Sequence, residues 1–210
     1  MSAGSGVEDA RGETTPVAGE TTEDASLCDH AGYPSEGVSA PLPRIAVFCV
    51  GNKLMLDDGV GPAVYEELLA RYEMPDNVEL FDVGCLSFDM LNYVNDYEVI
   101  VTVDAVDGTG KEPGTVFRFR PDAMARHAGA TASLHDLKLI DLFDAAFLLG
   151  YEAEGLCLGM QVENPSPALV TIGLTPKVDA ALPLLVETVA GELARFGSPL
   201  VPRMQVDTAF

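Results

Sequence analysis

Three side chains that could bind a divalent metal ion stand at the ends of predicted strands or at the start of a predicted helix. Asp58, the second residue of a carboxylate pair, follows the apolar run 45–50. Asp104 closes the apolar run 99–103, and His135 opens a helical pattern. In an open α/β sheet, ligands bind at the carboxyl ends of the strands. One imidazole and two carboxylates suit a borderline ion such as nickel or zinc, with coordination positions left open.

The carboxylate pair Asp57-Asp58 lies in a glycine-rich turn between a predicted strand and a predicted helix. Adjacent carboxylates at this place would also stabilise the positive end of the helix, and spacing alone gives that explanation even odds. Glycines let the backbone approach a bound group closely, which favours the binding role. They are Gly51, Gly59 and Gly61. Neighbouring residues on a turn point in different directions, so we expect only one of the two carboxylates to be a metal ligand.

Asp104 and His135 each have a structural explanation as well as a functional one. Burying an unpaired carboxylate after an apolar run would cost several kcal/mol, so a functional role is favoured for Asp104. His135 lies in the first turn of its predicted helix, where the dipole favours the neutral imidazole that binds metals. Taken alone it would be interpreted as a hydrogen-bonded surface histidine, but two converging carboxylates favour a ligand. His30 and His127 have no convincing partners.

Apolar runs alternate with helical patterns along the middle of the chain. Strands are predicted at 45–50, 78–83, 99–103, 115–119 and 156–160. Helices are predicted at 62–72, around 87–94, from Ser133 onward and at 175–196, with Pro183 expected to bend or interrupt the last one. The alternation predicts a three-layer α/β fold, a twisted and mostly parallel sheet with helices on both faces. Strand order 2-1-3 would place strands 1 and 3 side by side, and the carboxylate pair near Asp104.

The two ends of the chain differ in composition from its middle. Residues 1–43 contain almost no large aliphatic side chain, so we expect a disordered acidic tail, followed by an α/β domain at 44–197 and a C-terminal tail at 198–210. The net charge of −21 argues against nucleic-acid binding. We find no secretory signal, and no run near the ~18 apolar residues of a membrane span. We therefore expect a cytoplasmic, monomeric protein without membrane association.

Several common catalytic motifs are absent from the sequence. The four cysteines form no C-x-x-C pair, which argues against a zinc ribbon and favours reduced, structural thiols. There is no H-E-x-x-H helix and no G-x-S-x-G turn, so common zinc proteases and serine hydrolases are disfavoured. The turn after the first strand is not G-x-G-x-x-G, and no Walker A lysine follows it. Dinucleotide and nucleoside triphosphate binding are therefore disfavoured as well.

Taken together, these residues resemble the hydrogenase maturation proteases, the endopeptidases that trim the large subunits of nickel–iron hydrogenases. The resemblance covers about residues 44–197, and its motifs are Val50-Gly51-Asn52, Asp57-Asp58-Gly59-Val60-Gly61, Asp104-Ala105, Ser133-Leu134-His135-Asp136-Leu137 and Gly173-Leu174-Thr175-Pro176. It implies that Asp58, Asp104 and His135 bind the metal, and that Asp82 lines the cleft. The chain departs from the family at Cys49, where the turn usually has a glycine, and at Val83, since the family usually has two glycines after this aspartate.

The resemblance also implies a substrate, which is a large-subunit precursor already loaded with nickel. The nickel would come with the substrate and be the recognition signal, and zinc or another divalent ion could take the same ligands. Cleavage would remove a C-terminal extension, by attack of water on the scissile carbonyl with Asp57 or Asp82 as the base. One alternative is a metal-sensing chaperone that binds the precursor without cutting it. Another is a small-molecule hydrolase, which the lack of a nucleophile or phosphate loop disfavours.

Overall fold

The computed structural model describes residues 41–85, 90–120 and 134–204, and for residues 134–140 it describes the backbone alone. The chain divides after Ser39, and all described residues belong to the unit Ala40–Phe210. Most of the predicted acidic tail therefore lies outside the described residues. None of the described helices is long and apolar enough to cross a membrane.

Seven strands and four α-helices make up the described part of the chain. The strands are β1 Ile45–Val50, β2 Tyr72–Glu73, β3 Val78–Gly84, β4 Val99–Val106, β5 Val116–Phe119, β6 Glu154–Gln161 and β7 Val201–Pro202. The helices are α1 Val60–Arg71, α2 Leu91–Asp96, α3 Leu134–Leu148 and α4 Pro176–Arg195, and a 3-10 turn at Leu56–Gly59 precedes α1.

The central sheet has the strand order β3-β1-β4-β6-β5. Strand β1 is parallel to both β3 and β4, and β4 is parallel to β6. Only the edge strand β5 runs antiparallel to its neighbour in this described sheet. The predicted mostly parallel sheet and the predicted 2-1-3 order of its first three strands are confirmed, and the loops after β1 and β4 therefore leave the same edge.

The buried residues of β1 contribute to a hydrophobic core on each face of the sheet. Ile45, Val47 and Cys49 pack with residues of α1 and α4, while Ala46, Phe48 and Val50 pack with residues of α2 and α3. Because alternate side chains of a strand point to opposite faces, a strand covered on both faces must be apolar throughout. This explains the continuous apolar run in the sequence and confirms the three layers.

Four details differ from the sequence-based expectations. Strand β4 continues to Val106, so Asp104 lies inside the strand and not at its end. Helix α4 continues through Pro183, so of the two expected effects, a bend or an interruption, the interruption does not occur. Strands β2 and β7, which form a small antiparallel sheet, had not been predicted. The folded chain therefore continues past residue 197, where the α/β domain was expected to end. Buried Ser198 accepts a hydrogen bond from Asn77 Nδ2 at 2.7 Å and helps to hold this segment.

Candidate functional site

The turn after β1 folds back tightly against the end of its own strand. Gly51 has φ +133°, and a Cβ atom placed on it would lie 1.9 Å from the carbonyl oxygen of Asp58. A Cβ atom on Gly61 would lie 2.0 Å from the carbonyl oxygen of Val50. No residue other than glycine fits at either position without moving the backbone. The two glycines thus let residues 51–61 place their carboxylates directly at the edge of the sheet.

Asp58 is buried and is held by the backbone of this turn. Its Oδ2 accepts a hydrogen bond from Asn52 N at 3.0 Å, and the same N–H also donates to the carbonyl oxygen of Asp58 at 3.1 Å. The Asn52 Oδ1 in turn accepts from Leu54 N at 3.0 Å. The 3-10 turn that carries Asp58 packs against β4. Asp58 is therefore a carboxylate with a fixed orientation beside the strand that carries Asp104.

Asp104 lies on β4 at the level of the end of β1. The parallel register pairs Val103 with Cys49, which places Asp104 one step further, beside Val50. Its carboxylate is buried, and Oδ1 accepts a hydrogen bond from Ala105 N at 2.7 Å. On its other side Asp104 pairs with Gly159 of β6, which has no side chain. The register therefore places Asp104 beside the point where the loop that carries Asp58 begins.

The third predicted metal ligand, His135, is the second residue of α3. Its side chain lies outside the described part of the structure. Among the side chains that are described, no group of three His, Cys, Asp or Glu residues is arranged to hold a metal ion. The described site thus supplies two anchored carboxylates, and its completion by an imidazole stays a prediction.

Asp57, one of the two predicted bases, points into the protein. The residue is fully buried, and its carboxylate accepts four hydrogen bonds. Oδ2 accepts from Glu163 N at 3.1 Å, Asn164 N at 2.9 Å and Thr175 Oγ1 at 3.0 Å, and Oδ1 accepts from Thr175 N at 2.6 Å. A carboxylate that is surrounded by four donors and shielded from solvent is poorly placed to take a proton from water. Its geometry favours a structural role, joining the 51–61 turn to both ends of the segment 163–175.

Asp82, the other predicted base, is open to solvent. Its side chain is 28% exposed, Oδ1 accepts a long hydrogen bond from Gly84 N at 3.4 Å, and Lys53 Nζ lies 3.7 Å from Oδ2. The register places Asp82 beside Cys49, so it reaches the same end of the sheet as the turn. Asp82 is therefore the better placed of the two to exchange a proton with water. The sequence-based reasoning had not assigned Lys53 as its partner, because only the fold brings the turn after β1 next to the end of β3.

Cys49, at the carboxyl end of β1, is a buried free thiol. Burial, and to a smaller extent the negative charge of Asp82, raises the pKa of the Cys49 thiol well above its ordinary value. Since the thiolate is the nucleophilic form, Cys49 stays neutral and unreactive. Its departure from the glycine usual in the family is tolerated because the side chain packs into the core on the α1 side.

The segment 163–175 forms the wall of the site opposite β3. Its Thr171 makes two backbone hydrogen bonds with the turn, donating to Leu54 O at 3.0 Å and accepting from Leu56 N at 2.7 Å. Leu56 has φ +52°, a conformation that a leucine adopts only when its surroundings hold it there. The sequence signal for this wall was Thr175-Pro176. Thr175 stands at the N-cap position of α4, and its hydroxyl donates to Asp57 and makes no capping hydrogen bond to the helix.

A separate cavity lies at the opposite edge of the sheet. It has a volume of about 290 Å³ and is lined by residues 94–98 and 150–153, which precede β4 and β6. The strand order that gathers Asp58, Asp82 and Asp104 at the carboxyl edge places this cavity far from them. It is therefore not part of the candidate site.

Comparison with known proteins relates the chain to one protein family. A family model described as hydrogenase maturation protease matches residues 62–192. The chain is 32% identical over 161 residues to the hydrogenase 2 maturation protease of Escherichia coli K12, covering 76% of this chain and 96% of that protein. It is 30% identical over 168 residues to the hydrogenase expression/formation protein HupD of Rhizobium leguminosarum bv. viciae, covering 78% and 80% of the two.

Solved structures lead to the same family. The hydrogenase maturating endopeptidase HybD from E. coli superposes with a TM-score of 0.69 at 30% identity, covering 76% of this chain and 98% of that one. The [NiFe] hydrogenase maturation protease HybD from Thermococcus kodakarensis superposes with a TM-score of 0.59 at 26% identity, covering 72% and 99%. The chain belongs to the hydrogenase maturation protease family.

Proposed function

We propose that this protein is the endopeptidase that removes the C-terminal extension from the large-subunit precursor of a nickel–iron hydrogenase. Nickel already inserted in the precursor is the recognition signal, bound by Asp58, Asp104 and His135. The observation that carries the proposal is the placement of two backbone-anchored carboxylates, Asp58 and Asp104, at one edge of the sheet in a chain of this family.

The chemistry of the ligand set fits an ion such as nickel or zinc. Two carboxylates and one imidazole leave coordination positions open, as needed when most ligands come from the substrate. The backbone N–H groups of Asn52 and Ala105 each fix one carboxylate, so the ligands need little reorganisation on binding. A metal bound there supplies Lewis acidity toward the scissile carbonyl.

Asp82 is the base in this proposal. It takes a proton from the attacking water as the water oxygen bonds to the scissile carbonyl carbon, and it returns that proton to the departing amine. The C–N bond then breaks, which gives the mature C-terminus and a released peptide. Lys53 Nζ, which lies 3.7 Å from Asp82 Oδ2, orients this carboxylate between turnovers. Asp57 holds the turn and takes no proton.

The test is to incubate the purified protein with nickel-loaded and nickel-free precursor and to weigh the products by mass spectrometry. Loss of a C-terminal peptide from the nickel-loaded form alone is the expected result. Asp104→Asn and His135→Ala variants should then process the precursor at least about a hundredfold more slowly. Normal processing by both variants would contradict the assignment of these ligands.

The alternative is a chaperone that uses the same residues to sense the metal and does not cut. It predicts that the protein binds the nickel-loaded precursor while the mass of the precursor stays unchanged. The same experiment therefore separates the two functions.

A further inference from the structure

An apolar surface is exposed on the wall of the candidate site. Leu169 is 80% exposed, Ile172 is 75% exposed, and Val170 between them is also well exposed. We refer to these three residues as the apolar loop surface. Exposed aliphatic side chains are common singly, but three within four residues of one loop are a feature of interaction sites. Leu54, on the neighbouring turn, is half exposed and extends the surface toward the carboxylates.

The apolar loop surface is held rigidly relative to Asp58. Thr171, in the middle of it, is hydrogen-bonded to Leu54 and Leu56 through both of its backbone groups. Asp57 holds the residues at both ends of the segment, at Glu163 and at Thr175. A surface fixed in this way loses little conformational entropy when a partner binds, so its apolar area contributes efficiently to affinity.

The charge pattern indicates what kind of partner would fit. The chain has a net charge of −21, yet no charged residue occurs between Glu163 and Lys177. A charged partner segment would lose its hydration here without gaining an opposite charge, which is unfavourable. The surface therefore fits an uncharged, apolar segment. Three aliphatic side chains also provide far less than the roughly 800 Å² per partner that a stable interface buries, which argues against a second copy of this chain.

We propose that the apolar loop surface binds an uncharged, apolar segment of the precursor next to the peptide bond that is cut. The proposal rests on the proposed function, because it assigns part of the substrate to this site. In this proposal, Asp58 and Asp104 bind the metal, while Leu169 and Ile172 bind the polypeptide. Two separate contacts of this kind would make recognition depend on both the metal and the sequence of the precursor.

The test compares two double variants in which the replaced side chains are similarly exposed to solvent. Leu169→Ser with Ile172→Ser removes the apolar loop surface, and Phe147→Ser with Leu148→Ser removes an equally exposed apolar pair at the end of α3, where Leu148 is 84% exposed. The end of α3 leads toward the amino edge of the sheet, away from the carboxylates. Thermal unfolding of both variants checks that each one is folded.

The readout is the steady-state KM and kcat for nickel-loaded precursor. The loop variant should raise KM by about tenfold to a hundredfold, with kcat within about twofold of the wild type, while the α3 variant should match the wild type. Equal KM values in all three proteins would overturn the proposal, and so would an equal rise in both variants. Loss of wild-type self-association in the loop variant, measured by sedimentation, would also overturn it by assigning the surface to a second copy.

Failure of the proposed function would be visible separately. If the wild type binds the precursor but does not cut it, the Kd of that complex is measured in place of KM. The loop variant should then raise Kd by about tenfold to a hundredfold, and the α3 variant should match the wild type. A loop variant that binds as tightly as the wild type would then overturn the apolar loop surface as the contact.

Discussion

Replacing Asp57 by asparagine tests whether this carboxylate is structural, because the change removes the charge while keeping the shape. If the amide oxygen of the new side chain occupies the position of Oδ2, its NH₂ faces Thr175 N across 2.6 Å, and two donors oppose each other. If the amide is reversed, its NH₂ faces three donors, Glu163 N, Asn164 N and Thr175 Oγ1. Neither orientation satisfies the four donors that the carboxylate accepts from.

The expected loss of stability follows from these contacts. One hydrogen bond to a charged group, worth about 1.5–3 kcal/mol, is lost, and the other three become weaker because the acceptor is neutral. We therefore expect Asp57→Asn to lower the free energy of unfolding by about 3–5 kcal/mol. For a folded domain of this size, that corresponds to a fall in Tm of about 6–20 °C.

Urea denaturation and thermal unfolding measure this effect, and Asp82→Asn is the matched control. Asp82 is partly exposed and has only a loose ion pair with Lys53, so its substitution should change stability by less than about 1 kcal/mol. As the proposed base, however, Asp82→Asn should slow processing by about a hundredfold or more. An Asp57→Asn protein as stable as the wild type, but with a chemical step about a hundredfold slower, would refute this reasoning. It would assign the role of the base to Asp57 and not to Asp82.

Three further substitutions and one chemical modification test single features of the structure. Gly51→Ala should abolish processing and destabilise the fold, as measured by activity and melting, because its Cβ would lie 1.9 Å from the Asp58 carbonyl oxygen. Iodoacetamide at pH 8 should alkylate exposed Cys85 but not buried Cys49, as read by peptide mass mapping. Because folding raises the pKa of the Cys49 thiol, stability should fall as pH rises above about 9, and Cys49→Val should reduce that slope in pH-dependent urea melts. Pro183→Ala should stabilise the protein by about 1–3 kcal/mol in urea melts, since Pro183 is exposed within a continuous helix.

The sheet could be predicted from the sequence because its three central strands, β1, β4 and β6, are buried on both faces. Five apolar or partly apolar runs lie among helical patterns in the sequence. Parallel strands that are covered by helices on both faces require continuous apolar runs of this kind. The short strands β2 and β7 had no such signal. Each has two residues, and contacts such as the hydrogen bond between Asn77 and Ser198 hold the C-terminal segment in place for their pairing. Pairing between distant short segments depends on tertiary contacts that no local pattern encodes.

The candidate site could be predicted in part for a related reason. Asp58 and Asp104 were expected to meet because parallel strands bring their carboxyl ends to one edge, and the register places Asp104 beside the end of β1. The partners of Asp57 are 106 to 118 residues away in the sequence, so nothing near it in the chain indicated its role. The ion pair of Asp82 with Lys53 likewise joins strand β3 to the turn after β1, which only the fold brings together.

The adjacent aspartates Asp57 and Asp58 lie on one turn but have different surroundings, so neither can replace the other. The 3-10 turn directs Asp57 toward the segment 163–175 and leaves Asp58 held by Asn52 at the edge of the sheet. The carboxylate of Asp57 therefore fixes the apolar loop surface on one side, and the turn that carries the proposed metal ligand Asp58 on the other. If recognition of the polypeptide and of the metal both pass through this turn, loosening Asp57 should raise KM for the precursor and weaken nickel discrimination together, whereas a change at Leu169 should raise KM alone.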